Sequence, residues 1–334
     1  MTLRAFLSRL RVAAIFVAAL SLCPTAATAS QQLASWNEGA AKSAIVTFVE
    51  RVTKEGTPDY VPPVDRIAVF DNDGTLWTES PVYTQLAFAL DRVAALAPQH
   101  PEWKDQEPFK SVLAKDMKGL AATGEKGILE IIAATHAGMT TDQFTGIVTE
   151  WLAKAQHPKF HQRYNKLVYQ PMLELLAYLR DNGFKTYIVS GGGVDFMRPW
   201  AEQAYGIPPE QVIGSAIKLK YDVVDHVPVL RRLPEIDFID DRAGKPVGIF
   251  KALGKRPIAA FGNSDGDYEM IEWVTGRDGA SLGLFVHHTD ADREYAYDRK
   301  SSVGQLNKGL DDAAKRGWVI VDMKKDWSRV FPQE

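Results

Sequence analysis

Asp71 and Asp73 are spaced i, i+2 directly after Ile67-Ala68-Val69-Phe70 and are followed by Gly74 and Thr75. Four apolar residues running into two acids read as a buried parallel strand that delivers both carboxylates at its carboxyl end, where open α/β sheets bind ligands. Two further apolar runs end the same way: Lys185–Val189 in Ser190-Gly191-Gly192-Gly193, and Pro257–Phe261 in Gly262-Asn263-Ser264-Asp265-Gly266-Asp267. Brought together, such carboxylates repel one another and stay ionised at neutral pH only beside a cation. Every candidate ligand is an oxygen, which suits Mg²⁺ rather than zinc. Ser190, the amides of the glycine run and a lysine are groups that hold an oxyanion. The combination describes phosphoryl transfer, in which a carboxylate attacks in line while positive charge screens the phosphate. Asp71 is then the group that forms an aspartyl-phosphate, and Asp73 protonates the leaving oxygen and afterwards activates water.

Taken singly, each motif also has an ordinary reading. Asp71 and Asp73 with Gly74 make a strand-end turn, and Ser190 with three glycines makes another. Lys245 reads alternatively as a solvated lysine at a helix start, and Asp265 as a cap of the helix that follows it rather than a metal contact. Trp77, Glu79 and Tyr83 follow the first motif closely and are candidates for substrate contact, with packing as the alternative for the two aromatics. His287-His288 reads as core or surface, because the proposed metal set is rich in oxygen.

The elements that must carry these groups alternate. An amphipathic helix is expected within residues 34–54, then the first strand. Tyr83–Ala97, Phe109–Leu120, Lys126–Ala134 and Thr141–Ala155 show helical spacing, with a helix start at Thr141-Asp142. From Gln170 onward helices and short strands alternate, with a hairpin expected over Ile217–Leu230, a helix at Lys245–Leu253 and another across Gly304–Arg316. This pattern predicts an α/β fold: a doubly wound, mostly parallel sheet with a smaller helical domain inserted after the first core strand. The expected boundaries are a leader over 1–29, an N-terminal helix and first strand over 30–82, a helical cap over 83–168, and the remaining α/β core over 169–334.

Together these motifs resemble those of a known family. Asp71-Asn72-Asp73-Gly74-Thr75, Ser190 after its strand, Lys245-Pro246 opening a helix, and Gly262-Asn263-Ser264-Asp265-Gly266-Asp267 resemble the four motifs of haloacid-dehalogenase superfamily phosphatases. The helical insert resembles the cap of the phosphoserine-phosphatase-like branch. The resemblance implies Asp71 as nucleophile, Asp73 as acid/base, and Thr75, Ser190, Gly191 and Lys245 as phosphate holders. It also implies a Mg²⁺ site from Asp71, the backbone carbonyl of Asp73, and the 262–267 loop. Dehalogenases of the superfamily lack an acid equivalent to Asp73, so phosphatase chemistry is the expectation. One departure stands out: Asn263 occupies a place where the family usually has an aspartate, so it is expected to bind metal through its carbonyl oxygen, with Asp267 as direct or water-mediated support. Glu79 falls one residue earlier than the substrate-binding glutamate of phosphoserine phosphatases.

Composition sets the setting. The 334 residues, 46% hydrophobic, are enough to bury a large core. Arg4, Arg9 and Arg11 precede the apolar run Val12 to Cys23, and Ala27-Thr28-Ala29 is a small-x-small cleavage site, so a secretory signal peptide is expected. Its removal takes three arginines and no acids from a chain of formal charge −3, along with Cys23, the one cysteine. The expected mature protein is periplasmic or secreted, mildly acidic and without disulfides. No basic run points to nucleic acid and no later segment is long and apolar enough to span a membrane. The expected activity is that of an exported Mg²⁺-dependent phosphomonoesterase acting on a small phosphorylated metabolite. The alternatives are a phosphocholine phosphatase or inorganic pyrophosphatase of the same fold, or a catalytically inert anion-binding protein.

Overall fold

The structure, a computed structural model, describes residues 32–333. The expected signal peptide and Cys23 lie outside the described residues. Helix α1 (Ala40–Thr53) buries Ile45, Phe48, Val49 and Val52 on one face, as its spacing predicts. Strand β1 (Ile67–Phe70) is buried along its whole length. Its alternate residues face opposite sides: Ala68 and Phe70 join one apolar cluster, Ile67 and Val69 the other. A strand covered on both faces has no polar side to show, which is why β1 reads as a continuous apolar run.

Five helices come next: α2 (Thr84–Leu96), α3 (Phe109–Leu113), α4 (Met117–Ala122), α5 (Gly124–His136) and α6 (Thr141–Leu152). The single helix expected over Phe109–Leu120 is two. Lys115 adopts a left-handed conformation (φ 56°), and the Asp116 side chain accepts from the Lys118 and Gly119 amides, so a new helix starts where the periodicity ran on. The helix starts at Thr141 as expected, and its N-cap Thr140 forms a reciprocal capping box with Gln143.

The remainder alternates: α7 (Gln170–Asp181), β2 (Lys185–Gly193), α8 (Val194–Tyr205), β3 (Val212–Val224), β4 (Val227–Phe238), α9 (Gly244–Leu253), β5 (Ala259–Gly262), α10 (Tyr268–Thr275), β6 (Leu282–His287), α11 (Lys308–Arg316), β7 (Val319–Asp322) and the short α12 (Met323–Asp326). The seven strands form one sheet in the order β4-β3-β2-β1-β5-β6-β7, parallel except for the β3–β4 pair. This is the expected doubly wound architecture with an antiparallel edge.

The hairpin is longer than Ile217–Leu230. β3 leaves the core as the parallel neighbour of β2 and continues outward as the antiparallel partner of β4, reversing at Asp225 and His226, both at positive φ. Its return strand is tied to the helical stretch: the Gly138 amide donates to the Arg232 carbonyl and the Arg232 amide to the Met139 carbonyl, both at 2.9 Å. The Arg232 guanidinium donates to the His136 carbonyl, pairs with Asp195 and lies 4.0 Å from the Phe144 ring centroid. The helix expected from Gly304 begins only at Lys308. Gly304 itself is left-handed (φ 62°), which ends any regular run there.

Candidate active site

Register brings the motifs together. β1 lies between β2 and β5, with Phe70 opposite both Ile188 and Phe261. The polar residues that follow these three apolar strands therefore emerge side by side at the carboxyl edge of the sheet.

Lys245 organises the charges. It is 2% exposed, and its Nζ donates to Asp71 Oδ1 and Asp267 Oδ1, both at 2.6 Å, and to the Val189 carbonyl at 2.9 Å. A lysine with all three donors engaged is not the solvated side chain of the ordinary reading. Burial works against its charge, but Asp267 and Asp71 together raise its pKa. Asp71 moves well above the ordinary carboxylate range because burial and the Asp267 charge outweigh the lysine.

Asp73 is pushed up to about 6 by burial, opposed by the Trp77 indole, which donates to Asp73 Oδ1 at 2.8 Å. The Trp77 ring is fully buried and stacks on Trp200 with centroids 4.3 Å apart. Of the two readings of Trp77, packing is what the ring does here: no part of it is exposed, and its polar edge is committed to Asp73.

Ser190 is buried and its Oγ accepts from the Gly192 amide at 3.0 Å, whereas Gly191 is exposed. A Cβ placed on Gly192 would lie 3.6 Å from Asp73 Oδ2, so the end of β2 passes directly beside the second acid. The Gly193 amide donates to Gln85 Oε1 at 2.7 Å, bringing the start of α2 to the same spot. Thr75, fully buried, has its hydroxyl 3.4 Å from Asp71 Oδ2 and 3.3 Å from Asn263 Oδ1. Its hydroxyl faces those two oxygens.

The 262–267 loop is self-supporting. Asp267 Oδ2 accepts from the Asn263 and Ser264 amides at 2.9 and 3.0 Å while Oδ1 receives Lys245. Both oxygens are engaged by protein donors, so Asp267 braces the loop and the lysine. Asp265 neither reaches the site nor caps the helix that follows it. Its carboxylate accepts from the amides of Asn307, Lys308 and Gly309 and so caps α11.

Glu79 is buried; its Oε1 accepts from Asn263 Nδ2 at 2.6 Å and from the Tyr297 hydroxyl at 2.7 Å. Burial raises its pKa well above the ordinary range, with Tyr297 opposing. Tyr83 remains partly exposed and accepts from the Gly304 amide at 3.2 Å.

Several supporting residues carried no sequence signal. His288 Nε2 lies 2.8 Å from the Gly74 carbonyl, and its Nδ1 lies 3.3 Å from Glu294 Oε2. A carbonyl only accepts, so Nε2 carries the proton. Glu294 also accepts from Thr78 and Tyr169. Of this group only His288 stood out in the sequence, where it reads as core or surface; it is buried.

A divalent cation fits the donors present. Among the described residues no group of three or more His, Cys, Asp or Glu side chains forms a metal site. Asp71 Oδ2, turned away from Lys245, and Asn263 Oδ1 face a common point at the Thr75 hydroxyl. An all-oxygen pair of one carboxylate and one carboxamide suits Mg²⁺, which keeps several of its waters.

The fold is a doubly wound sheet with two acids after its central strand, a buried lysine between carboxylates and a serine on the neighbouring strand. The family model for haloacid dehalogenase-like hydrolases matches residues 68–272. The chain belongs to that family.

Among solved structures, a protein of unknown function from Bordetella pertussis Tohama I is 15% identical, covering 77% of this chain and 98% of its own, with a TM-score of 0.48. A functionally unknown protein from Anaerococcus prevotii is 18% identical, covering 75% and 86%, with a TM-score of 0.44. A phosphoserine phosphohydrolase-like protein from Francisella tularensis is 18% identical, covering 66% and 87%, with a TM-score of 0.37. No curated protein matches the sequence.

Proposed function

We propose that the protein is an exported, Mg²⁺-dependent phosphomonoesterase acting through an aspartyl-phosphate on a small phosphorylated metabolite. The observation that carries this reading is the Lys245 bridge, 2.6 Å from both Asp71 and Asp267, beside a second acid. The bridge holds the Asp71 carboxylate in a fixed rotamer at the end of β1, and Ser190 and Gly191 flank the place a phosphate would take. Asp73, pushed up to about 6, holds a proton for a leaving oxygen and can take one back from water. Bound Mg²⁺ supplies charge neutralisation for the phosphate and for the clustered carboxylates.

Residues 83–168 act as the cap in this reading. Support comes from Gln85 on the Gly193 amide at the end of β2 and Tyr83 on Gly304 in the segment before α11, two places where the helical stretch reaches the core. Export rests on the N-terminal sequence pattern alone.

An aryl-phosphate assay with and without Mg²⁺ tests the reading. Turnover that needs Mg²⁺ and drops by about a thousandfold or more in Asp71→Asn is expected, since a carboxamide cannot serve as the nucleophile. Activity that survives this substitution, or none in the wild type, refutes it.

A further inference from the structure

We propose that Glu79 is a positioning residue for the cation site: by accepting the Asn263 amide N–H it turns the Asn263 carbonyl oxygen toward Asp71. The inference rests on the metal-dependent reading above and assigns the orientation of one of its ligands. A carboxamide has two ends of equal size and opposite polarity, and only the oxygen end can bind a cation. On the backbone alone, nothing tells the two ends of Asn263 apart. Glu79 does: its Oε1 accepts from the Asn263 Nδ2 at 2.6 Å, so the NH₂ end faces the glutamate. Oδ1 is thereby directed toward Thr75 Oγ1, 3.3 Å away, and to the side of the loop where Asp71 Oδ2 lies.

The glutamate is itself fixed. Tyr297 donates to the same Oε1 at 2.7 Å, and Glu79 is 2% exposed. Two left-handed glycines make room for it. A Cβ on Gly74 (φ 75°) would overlap Asn263 Nδ2 and Glu79 Oε1, and one on Gly304 (φ 62°) would overlap Glu79 Oε1. The pair occupies space that the backbone leaves by excluding side chains from both sides. A direct substrate contact by Glu79 would compete with both of these bonds.

Mg²⁺ affinity of the substrate-free protein, measured by titration calorimetry, tests the proposal. Glu79→Leu should weaken binding by about tenfold or more, as loss of a group that orients a metal ligand does. Glu79→Gln, whose carbonyl still accepts from Asn263 and Tyr297, should stay within about threefold of wild type, because orientation rather than charge is what it supplies. Asn263→Ala should weaken binding, and adding Glu79→Leu to it should change nothing further, since the effect passes through Asn263. Unchanged affinity in Glu79→Leu, additive losses in the double variant, or a raised KM with intact Mg²⁺ binding overturns the proposal. Should Glu79→Leu not fold, Glu79→Ala replaces it in the cycle, with folding checked by circular dichroism. A wild type that binds Mg²⁺ but hydrolyses no ester refutes the phosphatase reading alone; a wild type that binds no Mg²⁺ overturns the Glu79 proposal.

Discussion

The indole N–H of Trp77 donates to Asp73 Oδ1 at 2.8 Å, and this bond opposes the burial that pushes the acid up to about 6. Trp77→Phe keeps a ring to stack on Trp200 but removes the donor. A hydrogen bond to a charged group contributes about 1.5 kcal/mol or more, so the Asp73 pKa should rise by about one unit. The pH profile of kcat, measured from pH 4 to 9, should show the limb belonging to Asp73 shifted upward. An unmoved profile would show that the tryptophan only packs.

Removal of the Lys245 charge leaves Asp71 and Asp267 facing each other in a buried place. Lys245→Met should cost about 3–5 kcal/mol of stability, the usual penalty for stranding a buried charge. Turnover should fall by about a hundredfold or more as an electrostatic donor is lost. Chemical denaturation and the aryl-phosphate assay check the two effects separately.

Asp265 divides the structural reading from a catalytic one. Asp265→Ala frees three amides at the start of α11 and should cost about 1–2 kcal/mol, as the loss of a helix cap does. Mg²⁺ affinity, followed by calorimetry, should not change. A weakened affinity would return Asp265 to the metal site.

The metal-free protein should grow more stable as pH falls from 8 toward 5. Burial raises Asp73 to about 6 and Asp240 to about 7, above their unfolded values of about 4. Between those limits the native state binds more protons than the unfolded chain, so the stability they contribute is lost as pH rises through 6 and 7. Melting temperatures in EDTA should therefore be higher at pH 5 than at pH 7.5. Added Mg²⁺, which binds the ionised site, should narrow the gap; a melting temperature that rises with pH in EDTA would contradict these shifts.

The central strands and their polar ends were legible because the signal is local: an apolar run of strand length, then turn-forming and acidic residues at its end. The sheet order follows from alternation of helix and strand. Lys245 gave no local sign of being buried; only its place among the four motifs did. The residues that fix the first motif were hidden for a different reason. Tyr297 and His288 reach Glu79 and Gly74 from the far end of the chain, and no periodicity records a contact made by one side chain across more than 200 residues. The break between α3 and α4 left no sign because a left-handed lysine leaves the apolar spacing intact.

The cap that Asp265 places on α11 also limits how this enzyme can be dissected. Every recognisable motif lies before residue 268, which invites treating the stretch up to that point as a portable catalytic cassette. Yet Asp265 is anchored to residues 307–309, Glu79 to Tyr297 and Gly74 to His288. A chimera that exchanged the segment after α10 for another would inherit the reactive carboxylates while losing the groups that orient them. Grafts of this site should therefore move the chain through α11 as one piece.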